Sequence, residues 1–162
     1  MFFTTPKPVL CLAQRTSNGV DKVLFKAEFP SSIEAMTEVL EKAVDRMAQG
    51  RHLCDKDAQR LRLCLEEALV NAVRHGNRGD VRRKVRIEIS EQQDKACRIR
   101  VFDEGGGFIP ENIRNPEGEQ MGGRGVCLMR HYMDTVAFNP KEHCLEMVFR
   151  CNTATREREM HE

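Results

Sequence analysis

Apolar residues first alternate at Val23, Phe25, Ala27 and Phe29, the period of a strand with one buried face, and Pro30 stops the run. The period then changes. Ile33, Met36, Leu40, Ala43, Val44 and Met47 recur at helical spacing up to Gly50. Ser31 with Glu34 forms an S-x-x-E capping box, so a helix is predicted to start there. A second helix, the most regular in the chain, is predicted from near Asp55 to Gly76, with Leu61, Leu65, Ala68, Leu69, Ala72 and Val73 as its apolar stripe. Val85, Ile87 and Ile89 alternate with charged residues, as do Cys97, Ile99 and Val101, which predicts a hairpin turned by SEQQDK. Val126, Leu128, Met129 and Met133 predict a short helix. Strands follow at Thr135 to Phe138 and Cys144 to Phe149, around an Asn139-Pro140 turn.

Strands outnumber helices and come as adjacent antiparallel pairs. The predicted fold class is therefore α/β of the α+β kind: a two-layer sandwich with a mixed or antiparallel sheet and helices on one face. Residues 1–22 read as a loose leader, residues 23–151 as one domain and residues 152–162 as a charged tail. Between Gly105 and Gly125 no period survives, although this stretch holds seven of the 11 glycines and two of the six prolines. A loop of that length is usually functional.

At 162 residues the chain has the size of one domain. A domain of that size buries about 70% of its unfolded surface and needs neither disulfides nor a structural metal to hold a core. Lys and Arg number 26 against 25 Asp and Glu, less basic than a generic nucleic-acid binder, so no direct nucleic-acid partner is expected. Cysteines occur at 11, 54, 64, 97, 127, 144 and 151, an odd count without a CxxC pair. That pattern fits a reducing cytoplasm better than a disulfide framework or a zinc knuckle. No basic and apolar leader, and no run near the roughly 18 apolar residues of a membrane span, marks the chain for export or a bilayer.

Three clusters carry residue types that folding alone does not ask for. On the second predicted helix Glu67, Asn71 and His75 stand at i, i+4 and i+8, beside the apolar stripe, so a carboxylate, an amide and an imidazole line one wall. Asn is a poor helix former because its side chain competes for the backbone, and its amide oxygen suits a hard cation such as Mg²⁺. Asp103 ends a strand and is followed at once by Gly105, Gly106 and Gly107, so a carboxylate sits beside backbone that a flat ligand can approach closely. Gly122, Gly123 and Gly125 precede the third predicted helix, whose free N–H groups and Arg124 would face phosphate oxygens.

In order and spacing, these clusters resemble the histidine-kinase-like ATPase superfamily. This is the Bergerat fold of gyrase-type topoisomerases, ninety-kilodalton heat-shock chaperones and sensor histidine kinases. Residues 67–77 resemble its N box, Asp103-x-Gly105-x-Gly107 its first glycine box and Gly123-x-Gly125 its second. Within the superfamily, the short chain, the HGN after the N box and the segment GGRGVCLMRHYMD are most similar to bacterial anti-sigma factor serine-protein kinases.

The resemblance implies ATP and Mg²⁺ as cofactors. It implies Asn71 as the residue that binds the metal bridging the phosphates, and Glu67 as general base toward the attacking hydroxyl or water. Asp103 would recognise the adenine amino group, Gly105 and Gly107 would admit base and sugar, and Gly123, Arg124 and Gly125 would line the phosphates. His75 would support the phosphate side, and Ile109 to Met121 would be a short ATP lid. The implied partners are a sigma factor and an anti-anti-sigma protein of the STAS type, with a homodimer built on the first strand and helix.

Two positions depart from the anti-sigma kinase pattern. Glu38 stands near the place of an arginine that recognises the substrate protein, and EHCLEMVF replaces a Gly-Thr pair at the start of the last strand. The first departure supports an alternative function, a nucleotide-gated protein-binding regulator without phosphotransfer. A P-loop enzyme is excluded by the lack of GxxxxGK[ST], and a eukaryotic-type kinase by the lack of HRD and DFG.

Overall fold

Alternate residues of a strand turn to the same side, and here every long strand turns its apolar set toward the helices. The fold was read from a computed structural model that describes residues 9–10, 21–51, 53–106 and 123–150. Its elements are β1 (Val9–Leu10), β2 (Lys22–Pro30), α1 (Ile33–Arg51), α2 (Asp55–Asn71) continued by a π turn (Ala72–Gly76), β3 (Lys84–Glu91), β4 (Cys97–Phe102), α3 (Gly123–Tyr132), β5 (Thr135–Asn139) and β6 (Cys144–Phe149). The strands form one sheet in the order β1-β2-β3-β4-β6-β5, and every pair is antiparallel.

Register lines the apolar positions up across the sheet. Ala27 faces Ile87 and Ile87 faces Val101, while Ile99 faces Met147, so one continuous apolar band crosses four strands. Met36, Val39, Leu40 and Met47 of α1, Leu61, Leu65 and Leu69 of α2, and Val126 and Met129 of α3 close over it, all buried. Each such side chain contributes roughly 1.5–3 kcal/mol by leaving water.

The other face of the sheet is polar and laced across strands. Glu88 takes Lys26 at 2.9 Å and Arg100 at 2.8 Å, Lys84 takes Glu28 at 2.8 Å, and the Arg86 guanidinium lies 3.9 Å from the Phe102 ring centre. The predicted two-layer sandwich is therefore the observed one, with the sheet wholly antiparallel.

Four local features differ from the sequence reading. The capping residue of α1 is Ser32, not Ser31: the Ser32 hydroxyl accepts the Ala35 N–H at 3.2 Å, while Ser31 turns inward and its hydroxyl donates to the Arg83 carbonyl at 2.9 Å. Within the stretch expected to be loose, Val9 and Leu10 pair with Glu28 and Ala27. The second helix does not stay α-helical to Gly76. Its last turn is wound wider, and the Asn77 N–H reaches the Ala72 carbonyl, five residues back, at 2.8 Å. Finally, α3 begins at Gly123 rather than Val126, so Arg124 and Gly125 lie inside its first turn.

Candidate functional site

The site is built on the second half of α2. Its apolar stripe is committed to the core, and the neighbouring flank turns Glu67 toward the start of α3. Glu67 is half-buried. A Cβ added at Gly125 would overlap the Glu67 carboxylate oxygen and lie 3.1 Å from its carboxyl carbon, so glycine is what lets α3 close on this acid. Asn71 is 5% exposed, and its Nδ2 has no hydrogen-bond partner. A buried amide left unpartnered costs free energy, which is tolerated where a ligand completes the shell.

Asp103 follows β4 on the helix side, in line with the buried Val101. Its Oδ1 accepts the Gly105 N–H at 2.8 Å, which folds the carboxylate back over the glycine loop. The π turn sets Gly76 directly against it. A Cβ at Gly76 would overlap the Asp103 carboxylate and stand 2.9 Å from the Asp103 Cβ, and one at Gly105 would overlap the Gly76 carbonyl. Gly76, Asp103 and Gly105 thus interlock through backbone that tolerates no side chain at either glycine.

The structure sets Gly125 against Glu67, with Asn71 one turn further along α2, and sets Gly76 and Gly105 against Asp103. His75 falls on the Gly76 and Gly105 side of these contacts. It is exposed and lines an open cavity of about 440 Å³ with Gly76, Arg78, Arg83, Glu104, Gly105 and Gly106. Gly123 is the first residue of α3, and Arg124 beside it is exposed. Gly107 and the lid segment Ile109 to Met121 lie outside the described residues.

The sequence profile of the histidine kinase-like ATPase domain matches residues 29–149, a span that contains all of these positions. The chain belongs to the histidine kinase-like ATPase domain family. Membership implies ATP binding, usually with Mg²⁺, and ATP-driven chemistry in general. No match is found among curated proteins. Among the described residues no helix is long and apolar enough to cross a membrane.

Several residues of this ATPase domain escaped the sequence reading. Asn77 is fully buried, donates from Nδ2 to the Ser31 hydroxyl at 2.7 Å and the Lys84 carbonyl at 2.8 Å, and accepts the Glu104 N–H at 2.8 Å. His143 adopts a left-handed φ of 53°, and its Nε2 lies 3.2 Å from the Gly105 carbonyl. The only signal for Asn77 was its place in HGN, where an asparagine after a helix reads as a turn former. Under the site, burial and then the neighbouring Glu67 charge push the Cys64 thiol up to about 12.

Proposed function

We propose that this domain binds Mg-ATP in the cleft between the second half of α2, the Asp103 loop and the start of α3, and transfers phosphate to a serine of a partner protein. The partner class we infer is an anti-anti-sigma protein of the STAS type, with a sigma factor as the second, sequestered partner. The observation that carries the reading is the buried Asn71 side chain, one helical turn past Glu67, whose Nδ2 has no hydrogen-bond partner.

The residues fit the implied cofactors. Asn71 carries an amide oxygen, the kind of ligand Mg²⁺ takes, and its unpartnered Nδ2 is a donor that suits a phosphate oxygen or a water. Among the described residues no three His, Cys, Asp or Glu come together, so the metal's other positions fall to phosphate oxygens and water, the usual habit of Mg²⁺. Bound there, Mg²⁺ would neutralise charge developing on the phosphates. Asp103, an acceptor only, suits the adenine amino group. Arg124 and the N–H groups in the first turn of α3 suit phosphate oxygens. Glu67 accepts the proton of the attacking hydroxyl as that oxygen bonds to the γ-phosphorus and ADP departs.

Calorimetric titration of the reduced protein with ADP and a non-hydrolysable ATP analogue, with and without Mg²⁺, tests the site. Binding is expected to strengthen with Mg²⁺ and to be lost in Asp103→Asn, whose amide turns a donor toward the base. Glu67→Ala is expected to bind nucleotide while transferring phosphate on the order of 10²-fold more slowly. Unchanged affinity in Asp103→Asn rejects the base contact, and full activity in Glu67→Ala rejects the base role.

One observation favours a nucleotide-gated regulator without phosphotransfer. Glu38 is exposed on α1 and engaged by Lys42 at 2.6 Å, so this surface offers a carboxylate where the anti-sigma kinases offer an arginine. In that case Glu67→Ala leaves partner regulation intact.

A further inference from the structure

Asp103 is held in place by groups that lie outside the cleft, and they converge on one side chain. Asn77 is 0% exposed and joins three separate segments: Ser31 at the corner between β2 and α1, the Lys84 carbonyl at the start of β3, and the Glu104 N–H directly after Asp103. Three of its four hydrogen-bonding positions are thereby filled. The ring closes on itself, because the Lys84 N–H donates back to the Glu104 carboxylate at 2.5 Å and the Ser31 hydroxyl donates to the Arg83 carbonyl at 2.9 Å.

Asn77 also follows Gly76, the residue seated on the Asp103 carboxylate. One amide therefore fixes both the peptide after Asp103 and the backbone pressed against it. A carboxylate so confined has little freedom to turn toward a different ligand group.

We propose that Asn77 is a positioning residue that aims Asp103, and through it sets the preference of the site for adenine over guanine. The proposal rests on Asp103 being the base contact. Adenine presents an amino donor where guanine presents a carbonyl oxygen, so a carboxylate fixed at that place accepts from one and repels the other. A carboxylate released from its orientation discriminates less, because it rotates or admits a water.

The test compares affinities for ATP and GTP by calorimetry, beside thermal melts, in wild type, Asn77→Ala, Ser31→Ala and Ile99→Val. Ile99 is fully buried in β4, away from the ring, and its truncation is a stability control. The expected result is an ATP-over-GTP preference reduced by about tenfold or more in Asn77→Ala, and reduced in the same direction in Ser31→Ala, equivalent to about 1.4 kcal/mol for each tenfold. Ile99→Val is expected to lower the melting temperature and leave the preference alone. A folded Asn77→Ala with the wild-type preference overturns the proposal. Should Asn77→Ala not fold, Ser31→Ala decides, and an unchanged preference there overturns it equally. Failure of the base contact is seen separately, as unchanged ATP affinity in Asp103→Asn with Asn77 intact.

Discussion

Alanine at Gly76 sets two magnitudes against each other. In an ordinary helix the substitution stabilises by about 1 kcal/mol, because glycine loses more backbone entropy on folding. Here the new methyl would overlap the Asp103 carboxylate and press on the Asp103 Cβ at 2.9 Å, an atom one bond from the main chain that cannot swing aside. Overpacking of this kind costs roughly 1–3 kcal/mol, and a backbone-tethered contact belongs in the upper half of that range. The net effect is a loss of about 1–2 kcal/mol, or about 2–8 °C in melting temperature for a domain of this size. Nucleotide affinity falls with it, because the same methyl displaces the carboxylate. The assay is a thermal melt with calorimetric titration of the ATP analogue; Gly106→Ala is the control for the melt alone, since nothing lies within 4 Å of a Cβ there. A Gly76→Ala protein as stable as wild type, with unchanged affinity, refutes the interlock.

Alanine at Gly125 is expected to act differently, because the atoms it meets are the far end of the Glu67 side chain. The fold survives with little change in melting temperature while phosphotransfer drops; unchanged turnover counts against a close approach of α3 to Glu67. On the outer face, burial pushes the Glu88 carboxyl up, but the Lys26 hydrogen bond and the charges of Lys26, Arg100 and Arg86 push it further down, below the usual 4.5. A lowered carboxylate stabilises above its unfolded value, and that stability is lost as pH falls through the folded value. Melts of Glu88→Gln are therefore expected to be flatter than wild type below about pH 4.5, and superimposable pH profiles overturn the assignment. Burial, ahead of nearby charges, holds Cys64 at about 12 and Cys144 at about 11. At about pH 8, peptide mapping after brief alkylation is expected to find Cys54 and Cys127 modified well before either, and early loss of Cys64 contradicts its burial.

Much of this architecture was legible because strand and helix periods survive burial. Alternation at Val85, Ile87 and Ile89 records which face meets the helices, and the i, i+4 step from Glu67 to Asn71 is enough to set both on one flank. What stayed hidden depends on distant partners. By its letters Ser31 is the better cap, because Glu34 completes a capping box with it whereas Ala35 stands three residues after Ser32; a carbonyl 52 residues away, at Arg83, draws Ser31 inward and leaves the cap to Ser32. Asn77 gains its role from Ser31, 46 residues back, and from Glu104, 27 residues on. The two-residue β1 is too short for any period, and the π turn has the same apolar pattern as the α-helix it continues. Roles for Glu67, Asn71 and Asp103 came from resemblance, since their spacing alone fits an ordinary solvated helix flank and a strand-ending turn.

The π turn works as a phase shifter. Its hydrogen bond closes five residues back rather than four, so everything beyond Asn71 is rotated relative to the flank that carries Glu67 and Asn71. That rotation points Gly76 at Asp103 and sends the Asn77 side chain inward, rather than leaving either on the solvent side. The flank of Glu67 and Asn71 and the end that meets Asp103 therefore obey two separate angular settings within one continuous rod. Point changes at Glu67 or Asn71 leave the second setting intact, whereas gain or loss of a single residue between Ala72 and Gly76 resets it as a whole.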